Sequence, residues 1–124
     1  MVQTGSILKV VDNSGAKYAK CLKVLGSKKS GILGDFLVVS ILSLRRGKGR
    51  KIRVKRKEIC LGLLLSSNRK IKRQDGFFFR SFFNSILLFN RSFKPVGNRV
   101  FGLVAKELRL KRKFKAVSIA ACLV

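Results

Sequence analysis

Histidine and tryptophan are absent from this chain of 124 residues, and its only proline is Pro95. Histidine is the side chain that most often moves protons near neutral pH, and it is the commonest metal ligand. Its absence removes the usual routes to acid–base catalysis and to a zinc site. Cys21, Cys60 and Cys122 are odd in number and far apart, with no metal-ligand spacing. They read as three reduced, partly buried thiols in a reducing compartment, with no metal and no disulfide framework. Acids are nearly as scarce. Asp12, Asp35, Glu58, Asp75 and Glu107 are scattered, mostly beside turns or in basic surroundings. No paired carboxylates, Walker-type phosphate loop or nucleophile elbow occurs. Gly47-Lys48-Gly49 is too short a motif to stand for a phosphate loop. The expectation is a protein that binds and does not catalyse, with no cofactor.

Long apolar runs are also missing. The longest, Ala116 to Val124, is broken by Ser118, and spanning a bilayer takes about 20 residues. The N-terminus shows neither a signal-peptide core nor an Arg/Ser-rich transit region. The sequence therefore reads as a protein made where it works, or shown after processing.

What the chain has in excess is positive charge. Lys and Arg number 29 against 5 acids, a formal net charge of +24. Such charge opposes compactness by self-repulsion and calls for a polyanion. RNA, DNA and anionic membranes all qualify. The hydrophobic fraction of 47% excludes compositional disorder. One domain of this length can bury roughly two-thirds of the surface its unfolded chain exposes.

Strand-like segments follow one another along the chain. Ser6 to Val11 precedes a turn at Asp12-Asn13-Ser14-Gly15, and Tyr18 to Leu25 resumes after it. A polar loop over Gly26 to Gly34 leads to Phe36 to Leu44, the best candidate for a buried strand. Ile52 and Val54 alternate with Arg53 and Lys55, which predicts a strand with one basic face. Glu58 to Leu65 is a further apolar strand. Gln74-Asp75-Gly76 marks a turn. Val104 to Leu110 has helical character. Many short strands between glycine turns predict a mainly β protein, a small barrel with a short helical tail.

Nineteen of the basic residues fall in three segments. Nine of thirteen lie between Arg45 and Lys57, four of five between Arg69 and Arg73, and six of ten between Lys106 and Lys115. That density disfavours a merely solvated face. Arg45, Arg46, Lys48, Arg50 and Lys51 sit in a glycine-loosened loop from which they can reach backbone phosphates, followed by Arg53 and Lys55. Arg69, Lys70, Lys72 and Arg73, then Arg109, Lys111 and Arg112, extend the candidate set. Phosphate contacts position a protein without reading base sequence. Phe77, Phe78, Phe79, Phe82, Phe83 and Phe89 form an unusually aromatic stretch. It reads as core strands plus exposed rings facing a partner, in preference to base stacking.

Several ordered matches resemble the family of large-subunit ribosomal protein fourteen along nearly the whole chain. They are Met1-Val2-Gln3, then Leu8-Lys9-Val10-Val11-Asp12-Asn13-Ser14-Gly15-Ala16-Lys17 and Cys21-Leu22-Lys23-Val24-Leu25-Gly26. Gly34-Asp35, Asp75-Gly76, Pro95-Val96-Gly97-Asn98-Arg99-Val100-Phe101-Gly102 and Lys106-Glu107-Leu108-Arg109 continue the series. The resemblance implies a closed five-stranded barrel over about 1–101 and a small helical part over about 102–124. It implies a structural role in the large subunit, binding of large-subunit rRNA, and bridges to small-subunit rRNA at the intersubunit face. It also implies contact with ribosomal proteins three and nineteen. Asn13, Ser14, Lys17, Lys23 and Arg99 join the expected RNA-binding residues. Asn98, Arg99 and Lys115 correspond to a docking surface for a ribosome-silencing factor.

The chain departs from the family pattern at Gln74, where proline is usual, over Phe77 to Phe83, and at Ala120-Ala121-Cys122. Its abundance of Phe, Leu, Ile, Lys and Ser resembles translation from an AT-rich organellar genome. A mitochondrial ribosome is therefore the expected location, with a plastid or bacterial ribosome as the alternative. A general nucleoid binder would need the same charge but not the ordered motifs. A membrane-active cation would show a basic amphipathic helix, whereas the basic runs here read as loops and strands.

Overall fold

A computed structural model describes residues 1–26, 29–47, 49 and 51–124. Five strands close a barrel: β1 (Ile7–Val10), β2 (Ala16–Val24), β3 (Phe36–Leu44), β4 (Ile59–Ser66) and, after the short hairpin of β5 (Ile71–Lys72) and β6 (Phe78–Phe79), β7 (Ser85–Phe89). Neighbours pair antiparallel except at the closure, where β1 runs parallel to β7 with Lys9 opposite Ser85 and Val10 opposite Ile86. Closure leaves no free edge in this sheet.

Side-chain alternation explains the interior. Leu8, Val10, Cys21, Leu37, Val39, Ile41, Leu64, Ile86 and Leu88 form one buried cluster. On β2 the outward positions carry Lys17, Lys20 and Lys23. Register shifts beside Tyr18 and between Cys21 and Lys23 are bulges, which let consecutive residues face solvent.

β4 and β7 do not alternate, because both of their faces are covered. Leu63, Leu65, Leu87 and Phe89 belong to a second cluster with Val100, Val104, Leu108 and Ala116. The C-terminal segment makes that cover. It consists of β8 (Val100–Val104), α1 (Glu107–Leu110), α2 (Phe114–Ser118) and β9 (Ala120–Leu123), with β8 and β9 parallel. Burying each such aliphatic side chain contributes about 1.5–3 kcal/mol.

Two local expectations change. The alternation at 52–55 is not a strand. The Arg53 amide donates to Ser14 O, and the Lys55 amide donates to the Glu58 carboxylate at 2.7 Å, so the backbone is satisfied without a ladder. The predicted helix over Val104 to Leu110 begins late, because Val100–Val104 pairs with β9 and the Ala105 amide reaches Leu65 O. The tail thus combines two short helices with a strand pair.

Candidate nucleic-acid interface

The first turn is a hub built on a buried carboxylate. Asp12 is wholly buried. One of its oxygens accepts the Ser14 amide at 3.1 Å and the Ser14 hydroxyl, and the other accepts the Leu88 amide at 3.1 Å. Burial pushes the Asp12 pKa up, while the bonds from Ser14 and Leu88 and the nearby Arg45 guanidinium pull it back. The turn next anchors the first basic segment. The Arg45 amide donates to Gly15 O at 2.8 Å and the Arg53 amide to Ser14 O at 2.8 Å. Both ends of the loop 45–53 are therefore fixed to two adjacent residues. Gly15 has φ +97°, and a Cβ there would lie 3.1 Å from the Ile52 Cα. Only glycine fits that conformation without strain and that approach without displacing the loop.

The opposite wall is the segment 96–101. The Asn98 amide donates to the Asn13 side-chain oxygen at 3.0 Å, and the Asn13 side-chain amide donates back to the Asn98 oxygen. The Arg53 guanidinium donates to Val96 O at 2.7 Å. The Phe101 amide donates to Val11 O at 2.8 Å. Gly97 must lack a side chain, since a Cβ there would sit 2.5 Å from the Asn13 oxygen. Between these walls is a cleft of about 470 Å³ lined by Asn13, Gly15, Arg45, Lys51, Arg53 and Phe101.

The expected binding residues divide accordingly. Arg46, Lys51, Arg53 and Lys55 are exposed on or beside the anchored loop, and Arg45 is half-buried with its guanidinium on Val10 O at 2.8 Å. Lys48 and Arg50 lie outside the described residues. Lys17 is exposed beside the turn. Lys23 is exposed at the other end of β2, opposite Val38, about 20 Å along the strand. Ser14 is buried with its hydroxyl given to Asp12, so it shapes the turn and presents nothing to a ligand. Asn13 is half-buried, with its amide spent on Asn98.

The second and third basic segments share another face. One hollow is lined by Lys72, Lys106 and Arg109 together with Asp75 and Glu107, and a neighbouring one by Arg69, Lys70, Lys72 and Lys111 together with Glu107. Arg73 is not one of the outward cations there. It pairs with Glu107 at 2.5 Å, donates to Val124 O at 2.7 Å and lies over the Phe79 ring, so it ties the β5–β6 hairpin to the chain end. Lys111 bends its ammonium to Leu33 O at 2.5 Å, and Arg109 and Arg112 are exposed. Asn98 and Arg99 belong to the cleft side, whereas Lys115 sits on α2 with its ammonium toward Phe93 O at 3.4 Å. Phe101 was not among the expected binding residues. It stands next to Val100 on the outward face of β8, a face that it shares with the half-exposed Leu103.

Four of the five acids are turned to internal use. Asp12 holds the hub, Asp35 accepts the Ile32 amide at 3.0 Å, Glu58 accepts the Lys55 amide, and Glu107 neutralises Arg73. Asp75 is exposed in the hairpin turn. The outer surface is thereby left strongly cationic.

A small closed barrel that turns most of its few acids inward and displays an anchored cationic loop defines a class of basic β-barrel proteins suited to a polyanion. The chain belongs to the family described as Ribosomal protein L14p/L23e, which matches residues 1–124. It is a structural protein of the large ribosomal subunit, from a family whose role is structural and not catalytic.

Proposed function

We propose that the chain binds large-subunit rRNA mainly through backbone phosphates, using the loop 45–53 at one place and the paired segments 69–72 and 106–112 at another. The single observation that carries this reading is the double anchoring of the loop on Ser14 and Gly15. Nine cations between Arg45 and Lys57 repel one another. Holding them on a rigid base before binding reduces the ordering cost that a free loop would incur on contact. A general nucleoid binder does not account for a match over the whole chain. In this reading the protein lies at the intersubunit face, contributes bridges to small-subunit rRNA and touches ribosomal proteins three and nineteen. Asn98, Arg99 and Lys115 serve a ribosome-silencing factor.

Composition supports an organellar ribosome, taken as mitochondrial, with a plastid or bacterial ribosome as the alternative. The test is to fractionate the cell and sediment ribosomal particles at high salt. The expected result is co-sedimentation with the mitochondrial large subunit. Recovery only with cytosolic ribosomes would exclude the location, and release into the free pool with DNA would exclude the ribosomal role.

The exposed phenylalanines support a protein neighbour. Phe77, Phe78 and Phe82 are 73%, 65% and 92% exposed, while Phe79 is buried under the hairpin. Apolar exposure clustered in this way marks an interaction surface. Phe82→Ser should change stability by less than about 0.5 kcal/mol and yet reduce incorporation into the particle. Unfolding in urea together with quantitative particle occupancy tests this, and full occupancy would refute a docking role.

A further inference from the structure

We infer that the cleft between the first turn, the loop 45–53 and β8 is a subsite for one unpaired nucleotide, its base lying on the Phe101 ring and its phosphate held by Lys51 and Arg53. The inference rests on the rRNA reading above and adds to it a site that takes a base.

Phe101 is 58% exposed and Leu103 50% exposed on the outward face of β8, while Val100 and Val104 are fully buried, and of the two outward side chains Phe101 lines the cleft. It is separate in sequence from the Phe77 to Phe83 group and stands at the rim of a cationic cleft. The Arg99 guanidinium lies 5.6 Å from its ring centroid, within the range for cation–π attraction. An exposed aromatic ring among cations fits the two halves of a nucleotide, a π surface and an anion.

The other lining groups fit the same ligand. Among the described residues no acid lines the cleft, and Arg45, Lys51 and Arg53 do. Arg53 is oriented by its bond to Val96 O and Arg45 by its bond to Val10 O. Each bond uses one of the five N–H donors of a guanidinium. The forks are thus aimed before a ligand arrives. A volume of about 470 Å³ lies within the usual range for small-ligand sites. A base stacked within a duplex cannot lie on the ring, so the ligand is a bulged or looped-out nucleotide.

The experiment uses the full chain and two synthetic RNA hairpins that differ by one bulged adenosine, with Kd measured across a salt series. Wild type should prefer the bulged hairpin by about 5- to 150-fold, the range for one base on one aromatic ring. Phe101→Ala should abolish that preference while leaving the salt slope unchanged, and Phe101→Trp should restore it. Circular dichroism of each variant confirms the fold. A Phe101→Ala protein that discriminates as wild type does would overturn the subsite while leaving phosphate binding intact. Absence of a salt slope with either hairpin would instead refute the rRNA reading. An acidic peptide that binds wild type and depends on Phe101, with no bulge preference, would assign the cleft to protein and overturn the inference.

Discussion

Affinity for a large-subunit rRNA fragment is expected to fall about 10³–10⁵-fold as salt rises from about 50 to 200 mM, for roughly 6–10 phosphate contacts. Each neutralised phosphate releases condensed counterions, and that release loses its entropic advantage as bulk salt increases. The structure offers enough cations for such a count. Arg46, Lys51, Arg53 and Lys55 are exposed around the anchored loop, Arg69, Lys70, Lys72 and Arg109 around the second set of hollows, and Arg112 beside Phe93. Internal competition is small, because four of the five acids are committed to backbone amides or to Arg73. Filter binding or fluorescence anisotropy across a salt series measures the effect. A loss below about tenfold would mean that few of these cations meet phosphate.

Asp12→Ala is expected to destabilise the fold by about 2–6 kcal/mol. The substitution strips the buried Ser14 and Leu88 amides of their acceptor, and each unsatisfied buried donor costs about 1–3 kcal/mol. Relief of the buried charge offsets part of this. The loss reaches the interface too, since the turn that Asp12 shapes carries both anchors of the loop. Urea unfolding of Asp12→Ala beside the exposed Asp75→Ala tests it. The second variant should stay within about 0.5 kcal/mol of wild type. Equal midpoints for the two variants would show that Asp12 is not the hub.

Much of this fold was legible because its strands obey simple rules. Phe36 to Leu44 is rich in β-branched and aliphatic residues, and the strand occupies those same residues. Glu58 to Leu65 was displaced by one residue from Ile59–Ser66. Its unbroken apolar run reflects a second covering layer, which no local pattern announces. The parallel closure of β1 on β7 joins segments some 75 residues apart and depends on tertiary packing.

Charge marks the candidate interface, but charge alone cannot tell an outward cation from a fastener. Arg73 lies in a basic run, yet Glu107 and the carbonyl of Val124 claim it. Ser14 belongs to the same turn as Asn13, yet its hydroxyl is internal. The alternation at Ile52 and Val54 resembled a strand because the two side chains do face different surroundings. Val54 enters the barrel core, and Ile52 packs on Gly15 from an irregular loop. Phe101 went unselected because an aromatic in a strand ordinarily belongs to the core.

The most direct test of the anchored loop as the phosphate-binding element is the salt slope of the Arg46→Ala/Lys51→Ala double variant. Both side chains are exposed, so the fold should survive, and a melting curve checks that it does. The slope of log affinity against log salt should shrink by about 0.7–0.9 for each lost contact. The unbulged RNA should show this reduction, and the bulged RNA, whose unpaired nucleotide Lys51 holds, at least as large a one. An unchanged slope in a folded double variant would contradict the assignment of this loop to rRNA phosphates.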